Sequence, residues 1–456
     1  MKRLVAEFPL PENFLPALLT FSRNHNPVMI LNSNREHQLS EDRYGSYDFL
    51  AAIGQTEEYF GGPGCFHILQ EFLDSTRDWI FAAFTYDLKN QLEKLHSENK
   101  DRLLFPDYHF FRPRFVLAVP KGSSKILVYY LAESDNPATV ENLIQQISSG
   151  SPSQTNRPGF TAPDDAVTGA AGETPGSISC SVTKEEYVSQ VNRIKQHIRR
   201  GDIYEMNYCV EFFAQGLQPD PVRTYLKLNE ISPMPFSCFY RTGEQYLLCA
   251  SPERFLKKTG SKIISQPIKG TVRRGNNAEE DRKLKEHLFN DPKERSENVM
   301  IVDLVRNDLA RTARRGTVAV EELFGIHSFE TLHQMISTVA SEVDLHMPVA
   351  EIIRAAFPMG SMTGAPKIRA MQLIEEYEQA RRGLYSGSVG YFTPGDDVAG
   401  ACFDLNVVIR SIGYHAKTKT LSFMAGSAIT IHSDAESEYE ECLLKARSMK
   451  QALTHD

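Results

Sequence analysis

Helix-period and strand-period segments follow one another in no fixed order along this chain, and that irregularity constrains its fold more than any single motif. A capped helix opens at Thr183-Lys184-Glu185-Glu186, where Thr183 and Glu186 form a capping-box pattern. Val188, Val191, Ile194 and Ile198 mark its apolar face, and Gly201 closes it. Short apolar runs then predict strands over 203–213, 236–240 and 246–250. Longer helical patterns cover 292–314, 349–357 and 366–379, and strands return over 386–392, 399–412 and 420–424. A βαβ repeat would alternate the two types strictly, so this mixed order argues for an α+β fold.

One segment breaks the pattern. From Ser148 to about Ser179 the chain is crowded with Ser, Gly, Pro, Thr and Ala. Such a composition buries too little apolar surface to offset its ordering entropy and reads as an exposed linker. Three parts are therefore expected: an N-terminal scaffold over 1–147, a flexible linker over 148–182 and a catalytic section over 183–456. In the first part, 115–120 and 124–131 read as strands around a Lys121-Gly122 turn. Residues 79–87 read as another strand, running into a polar helix with Leu88, Leu92 and Leu95.

Composition closes off several function classes. A formal net charge of −8 disfavours a nucleic-acid footprint, which needs a basic stripe. Seven scattered cysteines without CxxC spacing read as reduced thiols, with neither a disulfide framework nor a zinc site. No apolar run of about 18 residues spans a membrane, and Glu7, Pro9, Pro11 and Glu12 interrupt the start too early for a signal peptide. The expected address is the cytoplasm. Gly61-Gly62-Pro63-Gly64-Cys65-Phe66-His67 offers a Cys and a His, but two residues apart they make a poor nucleophile–base pair. A glycine-rich turn is the expectation there, and the chain is not expected to make its own ammonia.

Chemistry concentrates in the second half. Lys269 in Pro267-Ile268-Lys269-Gly270-Thr271 lies 16 residues (269 − 253) beyond Glu253 in Ser251-Pro252-Glu253-Arg254-Phe255, pairing an amine with a carboxylic acid. Making Lys269 neutral at pH 7 costs about 4–5 kcal/mol from an ordinary lysine. Arg273, Arg274 and burial would ease that, whereas nearby glutamates would oppose it. Glu294 and Glu297 share one face at a helix start, and Glu438 and Glu441 repeat the spacing with Lys445 one turn later. Clustered carboxylates of this kind suit a hard divalent cation such as Mg²⁺, which binds few of them directly and keeps waters. Phe357-Pro358-Met359-Gly360-Ser361-Met362-Thr363-Gly364-Ala365-Pro366-Lys367 is a glycine-flanked turn entering a helix, where free N–H groups favour an anion.

From about Thr183 to Lys445 these motifs together resemble the chorismate-utilising enzymes. The resemblance implies two packed β-sheets flanked by helices, with Mg²⁺ held by Glu294, Glu297, Glu438 and Glu441. It carries the general acid to Glu253, a histidine near the leaving oxygen to His333, and substrate contacts to Ser361 and Gly364. In the signature turn, Ser361 and Thr363 stand where the family has Thr and Ser. Tyr391, Arg410, Gly426 and Lys445 correspond to groups around the substrate's carboxylates.

A lysine in the Pro-Ile-X-Gly-Thr motif resembles the aminodeoxychorismate-forming branch. There, the lysine displaces the ring hydroxyl and ammonia from a separate glutaminase subunit then displaces the lysine. The anthranilate-forming branch carries alanine at that slot and remains the first alternative. A non-catalytic subunit that binds chorismate or an amino acid is the second. Isochorismate-forming members use a lysine base on the strand matching Tyr204-Glu205-Met206-Asn207-Tyr208. This chain has Glu205 there, where glutamine is usual in the aminating members, and the residues leave its role open.

Overall fold

The computed structural model describes residues 3–40, 42–149, 176–395 and 400–454. Two antiparallel β-sheets grow from one long strand, Tyr108–Pro120. Its later residues pair with Lys125–Leu131, and Arg3–Pro9 lies beyond that strand. Its other edge pairs with Tyr47–Phe60, followed by Val28–Asn32, Phe236–Thr242, Gln245–Ser251, Ser411–His415, Thr420–Ile429 and Glu205–Gln215. Its first residues instead pair with Ile80–Phe84, which starts the second sheet. That sheet continues through Ser388–Thr393, Cys402–Asn406, Arg254–Thr259, Lys262–Gln266, Leu332–Glu342 and Ala319–Ser328.

Strand alternation builds the layers. On Phe236–Thr242, Cys238 and Tyr240 enter a core shared by both sheets, while Phe239 points to the helices outside. On Ser388–Thr393, Val389 and Tyr391 face the inter-sheet core and Phe392 faces the opposite side. Outside the first sheet pack Phe14–Ser22, Pro137–Ser149, Lys184–Arg200, Pro221–Ile231, Lys367–Tyr377 and Ala435–Leu453. Outside the second pack Cys65–Thr76, Pro292–Ala310 and Val349–Ala356. The result is the expected pair of packed sheets flanked by helices.

The expected capping box is formed: Thr183 accepts from the Glu186 N–H, and Glu186 accepts in return, while Gly201 ends the helix at φ 82°. The buried stripe is Tyr187, Val191, Ile194 and His197, a slight rotation from the expected face. Strands from residues 1–147 hydrogen-bond to strands after 183 in both sheets. Of the expected linker, Ser148 and Ser149 end a helix and Ser179–Cys180 is a short strand, while 150–175 lie outside the described residues. The polar helix expected after 79–87 is reduced to the single turns Tyr86–Leu88 and Lys89–Leu92.

The predicted strand over 399–412 is broken. Cys402–Asn406 belongs to the second sheet and Ser411–His415 to the first, so Val407 to Arg410 cross between them. Arg410 makes the crossing at φ 49°, a left-handed conformation costly for a bulky side chain. The seven cysteines are all unbridged. Among the described residues no helix is long and apolar enough to cross a membrane.

Candidate active site

Two β-bulges aim the lysine and the acid. Ile268 pairs with Ile336 and Thr271 with Gln334, so Lys269 and Gly270 together face Met335 alone. Gly270 takes φ 88°, and a Cβ there would lie 3.0 Å from both Glu294 Oε2 and Leu288 Cδ1. A second register shift follows Arg254, just after Glu253. Glu253 is buried; its N–H donates to Ser251 Oγ and its carbonyl accepts from Val407 N–H.

The signature turn docks against both sheets' helices. Gly360 lies so close to Leu304 that a Cβ would approach its Cδ2 to 2.7 Å, and at Gly364 one would meet the Glu205 carbonyl at 2.3 Å. Asn207 Nδ2 donates to the Ser361 carbonyl at 2.6 Å. Buried Arg382 donates to the Met362 and Asn207 carbonyls and pairs with Glu378 at 2.6 Å. Lys367, which ends the motif, is a clamp: its Nζ meets Asp308 at 2.6 Å and the Ala356 carbonyl at 3.0 Å.

Lys269 makes no ion pair within 4 Å among the described residues, yet carboxylates surround it. Burial alone would lower its pKa; Glu205, Glu297, Glu253 and Glu294, strongest first, outweigh burial and hold it above the ordinary lysine value. Arg273 and Arg274, candidates for the opposite effect, are turned away onto Glu280 and Asp281. Burial pushes Glu253 up to about 7, with the neighbouring Ser361 hydroxyl and Lys269 pulling it partly back. Burial likewise pushes Glu297 up to about 7 and raises Glu294.

Glu205 is the feature the motifs left unexplained. It is 1 % exposed, neither carboxylate oxygen has a hydrogen-bond partner among the described residues, and burial raises its pKa against the pull of Lys269. Unsatisfied buried carboxylates are costly and rare away from functional sites. Because Glu205 is the strongest charge partner of Lys269, a Glu205→Gln variant is expected to lower the Lys269 pKa. Acetylation of Lys269 at pH 8, followed by peptide mass mapping, should then run several-fold faster than in the wild type. Unchanged labelling would mean that the two groups are not coupled.

The acids meet where two helix starts converge. Glu438 is 3 % exposed and Glu297 8 %, with Glu297 Oε1 lacking a hydrogen-bond partner among the described residues. Lys445 pairs with Glu441 at 2.8 Å and donates to the Gly426 carbonyl at 3.0 Å. Partial desolvation would raise the half-exposed Glu441, but neighbouring Lys445 outweighs it and holds the carboxyl below the usual range. Gly426 leaves no room for a Cβ, which would meet the Tyr208 carbonyl at 2.2 Å. Among the described residues no three Asp, Glu, His or Cys side chains close up tightly enough to hold an ion unaided.

The Arg410 guanidinium makes no hydrogen bond or ion pair among the described residues, and burial lowers its pKa to about 10. A half-buried cation without a counter-ion is suited to an anionic ligand. Two expected site residues stand elsewhere. Tyr391 faces the inter-sheet core, with ring centroids 5.8 Å from Tyr47 and 6.1 Å from Trp79, because strand alternation turns it from the acids. His333 is fully buried, its Nδ1 bonded to Ser328 at 2.8 Å and its Nε2 to Asp281 at 3.0 Å. Tyr385, which the motifs did not single out, has its hydroxyl 3.7 Å from Cys209 Sγ, and Cys209 lies opposite Gly426. The adjacent Ser386 N–H donates to the Val408 carbonyl, two residues from Arg410.

Comparison with known proteins places the chain in a family. A family model described as chorismate binding enzyme matches residues 26–451. Aminodeoxychorismate synthase component 1 of Bacillus subtilis (strain 168) is 38% identical over 281 residues, 62% of this chain and 58% of that one. Anthranilate synthase component 1 of Thermus thermophilus is 32% identical over 374 residues, 82% of this chain and 77% of that one. The crystal structure of anthranilate synthase component I from Streptococcus pneumoniae TIGR4 superposes with a TM-score of 0.72 at 24% identity. It covers 90% of this chain and 93% of its own. The match to the Bacillus subtilis relative spans less than two thirds of that protein's length. The chain belongs to the chorismate binding enzyme family.

Proposed function

We propose that this chain aminates chorismate with ammonia to give 4-amino-4-deoxychorismate, the ammonia coming from a separate glutaminase subunit. The observation that carries the reading is the Lys269 amine set among four carboxylates, one of them a Glu253 poised near neutrality. Relatives named component 1 support a partner subunit. The Cys65–His67 segment offers no glutaminase of its own: Cys65 is buried, whereas His67 is exposed and paired with Glu71.

Arg410, the Gly426 backbone and Tyr385 receive the enolpyruvyl carboxylate. The ring carboxylate is directed to Glu294, Glu297, Glu438 and Glu441. Those residues would hold Mg²⁺, some of them through water in keeping with its preference for few carboxylates, and among the described residues Glu297 Oε1 has no hydrogen-bond partner. When bound, Mg²⁺ supplies the charge that lets a carboxylate approach this acidic pocket. Lys269 gives a proton to Glu205 and its amine forms a bond to ring carbon C2. As the C4–O bond breaks, Glu253 donates its proton and the hydroxyl departs as water. Ammonia then bonds to C4 while the C2–N bond breaks, returning the Lys269 amine. The proton on the new C4 ammonium returns to Glu253, and Glu205 gives its proton back to the Lys269 amine.

The test is to incubate the purified chain with chorismate, Mg²⁺ and an ammonium salt and to identify the product by mass. Aminodeoxychorismate is the expected product, and chelation by EDTA is expected to abolish its formation. Anthranilate with released pyruvate would move the chain to the alternative branch. Isochorismate would remove amination altogether.

A further inference from the structure

We propose that Lys293 is a resident counter-cation of the acidic pocket, and that a divalent ion must displace it to bind. This rests on the reading of Glu297 and Glu438 as metal ligands. Lys293 stands in the first turn of Pro292–Ala310, where a positive charge opposes the helix dipole. Its ammonium explains that placement: Nζ lies 3.5 Å from Glu438 Oε1 and 3.9 Å from Glu297 Oε1, bridging the two helix starts. The Glu438 carboxylate otherwise accepts from Ser427, and Glu297 Oε1 has no hydrogen bond among the described residues.

Charge balance makes the competition unavoidable. Four carboxylates, Glu294, Glu297, Glu438 and Glu441, face the ammonium groups of Lys269, Lys293 and Lys445. Lys445 is engaged by Glu441 and a backbone carbonyl, and Lys269 is fixed on a sheet strand. Lys293 alone of the three reaches its acids at the limit of hydrogen-bonding distance, and its side chain is 46 % exposed. Its four-carbon stem gives it a solvated path outward. A dication entering between Glu297 and Glu438 would meet that ammonium at close range, and their repulsion in a part-buried site is large.

Magnesium chloride titrated into the full chain by calorimetry, without chorismate, tests this. Lys293→Met is expected to bind Mg²⁺ roughly tenfold more tightly than the wild type, and Lys293→Arg no more tightly than the wild type. In the wild type, saturating Mg²⁺ should increase acetylation of Lys293, read by peptide mapping, and leave surface Lys94 unchanged; this readout needs no variant to fold. Equal affinity in wild type and Lys293→Met, with unaltered acetylation, would overturn the proposal while keeping the metal site. Weaker binding by Lys293→Met would make the lysine a support for the pocket and also overturn it. No binding by either protein would sink the metal reading itself, and this proposal with it.

Discussion

A Lys269→Ala variant is expected to lose aminodeoxychorismate formation by about 10³-fold or more, between the cost of losing a general acid and that of losing a nucleophile. The bulge at Lys269-Gly270 exists to point one amine at the acids: an extra residue in the strand turns it out of register, and Gly270 alone fits against Glu294. Alanine keeps the strand and the glycine but removes both the bond-forming nitrogen and the one cation shared by Glu205, Glu253, Glu294 and Glu297. Those carboxyl groups should then titrate higher. Chorismate itself should still bind, because Arg410 lies in the crossing between the sheets and Gly426 on another strand. Two measurements separate the effects: product formation by mass, and chorismate affinity by calorimetry. Partial rescue by a small primary amine added to the variant is also expected, since the vacated space borders the cleft. Full activity in Lys269→Ala would reduce the lysine to a bystander and return the anthranilate-forming branch to first place.

Much of the architecture was legible because it rests on local signals. The Thr183–Glu186 cap, the Gly201 stop and the i,i+3 spacing of Glu294 and Glu297 are short-range patterns, and each stands in the structure as the spacing implies. What could not be read was decided by long-range register. Glu253 and Lys269 approach only because Arg254–Thr259, Lys262–Gln266 and Ile268–Arg273 run in one sheet with two bulges, which no local pattern reveals. Residues 399–412 look like one strand, and only the assembled sheets show that Val407 to Arg410 cross between them. Tyr391 and Tyr385 illustrate the same limit: strand alternation turns Tyr391 into the inter-sheet core, whereas Tyr385 stands in the turn before that strand, and no local pattern tells the two apart. The Lys269 charge state was undecidable from sequence because Arg273 and Arg274 are near in sequence but point elsewhere.

Replacing Glu253 with glutamine is expected to cut turnover by about 10²–10⁴-fold and to raise stability above neutral pH. Burial takes this carboxyl from an ordinary 4.5 up to about 7, which keeps the proton that the departing hydroxyl requires. The wild-type rate should therefore fall as pH rises beyond about 7, while deprotonation of Glu205, the acceptor of the Lys269 proton, pulls it upward from the acid side, giving a bell-shaped profile. In Glu253→Gln the residual rate should keep only the ascending limb. The stability effect has the opposite sign to the catalytic one. Below about 4.5 the carboxyl is protonated in both folded and unfolded chains and costs nothing. Between about 4.5 and about 7 the folded chain retains a proton that the unfolded chain releases, so wild-type stability falls as pH rises. Above that window the full cost, about 3 kcal/mol, is in place. Glutamine fills the same space and cannot ionise, so urea unfolding should show the variant gaining on the wild type between pH 5 and pH 8. An equal difference at both pH values, with an unaltered alkaline limb in the rate, would mean that Glu253 is ionised throughout and cannot be the acid.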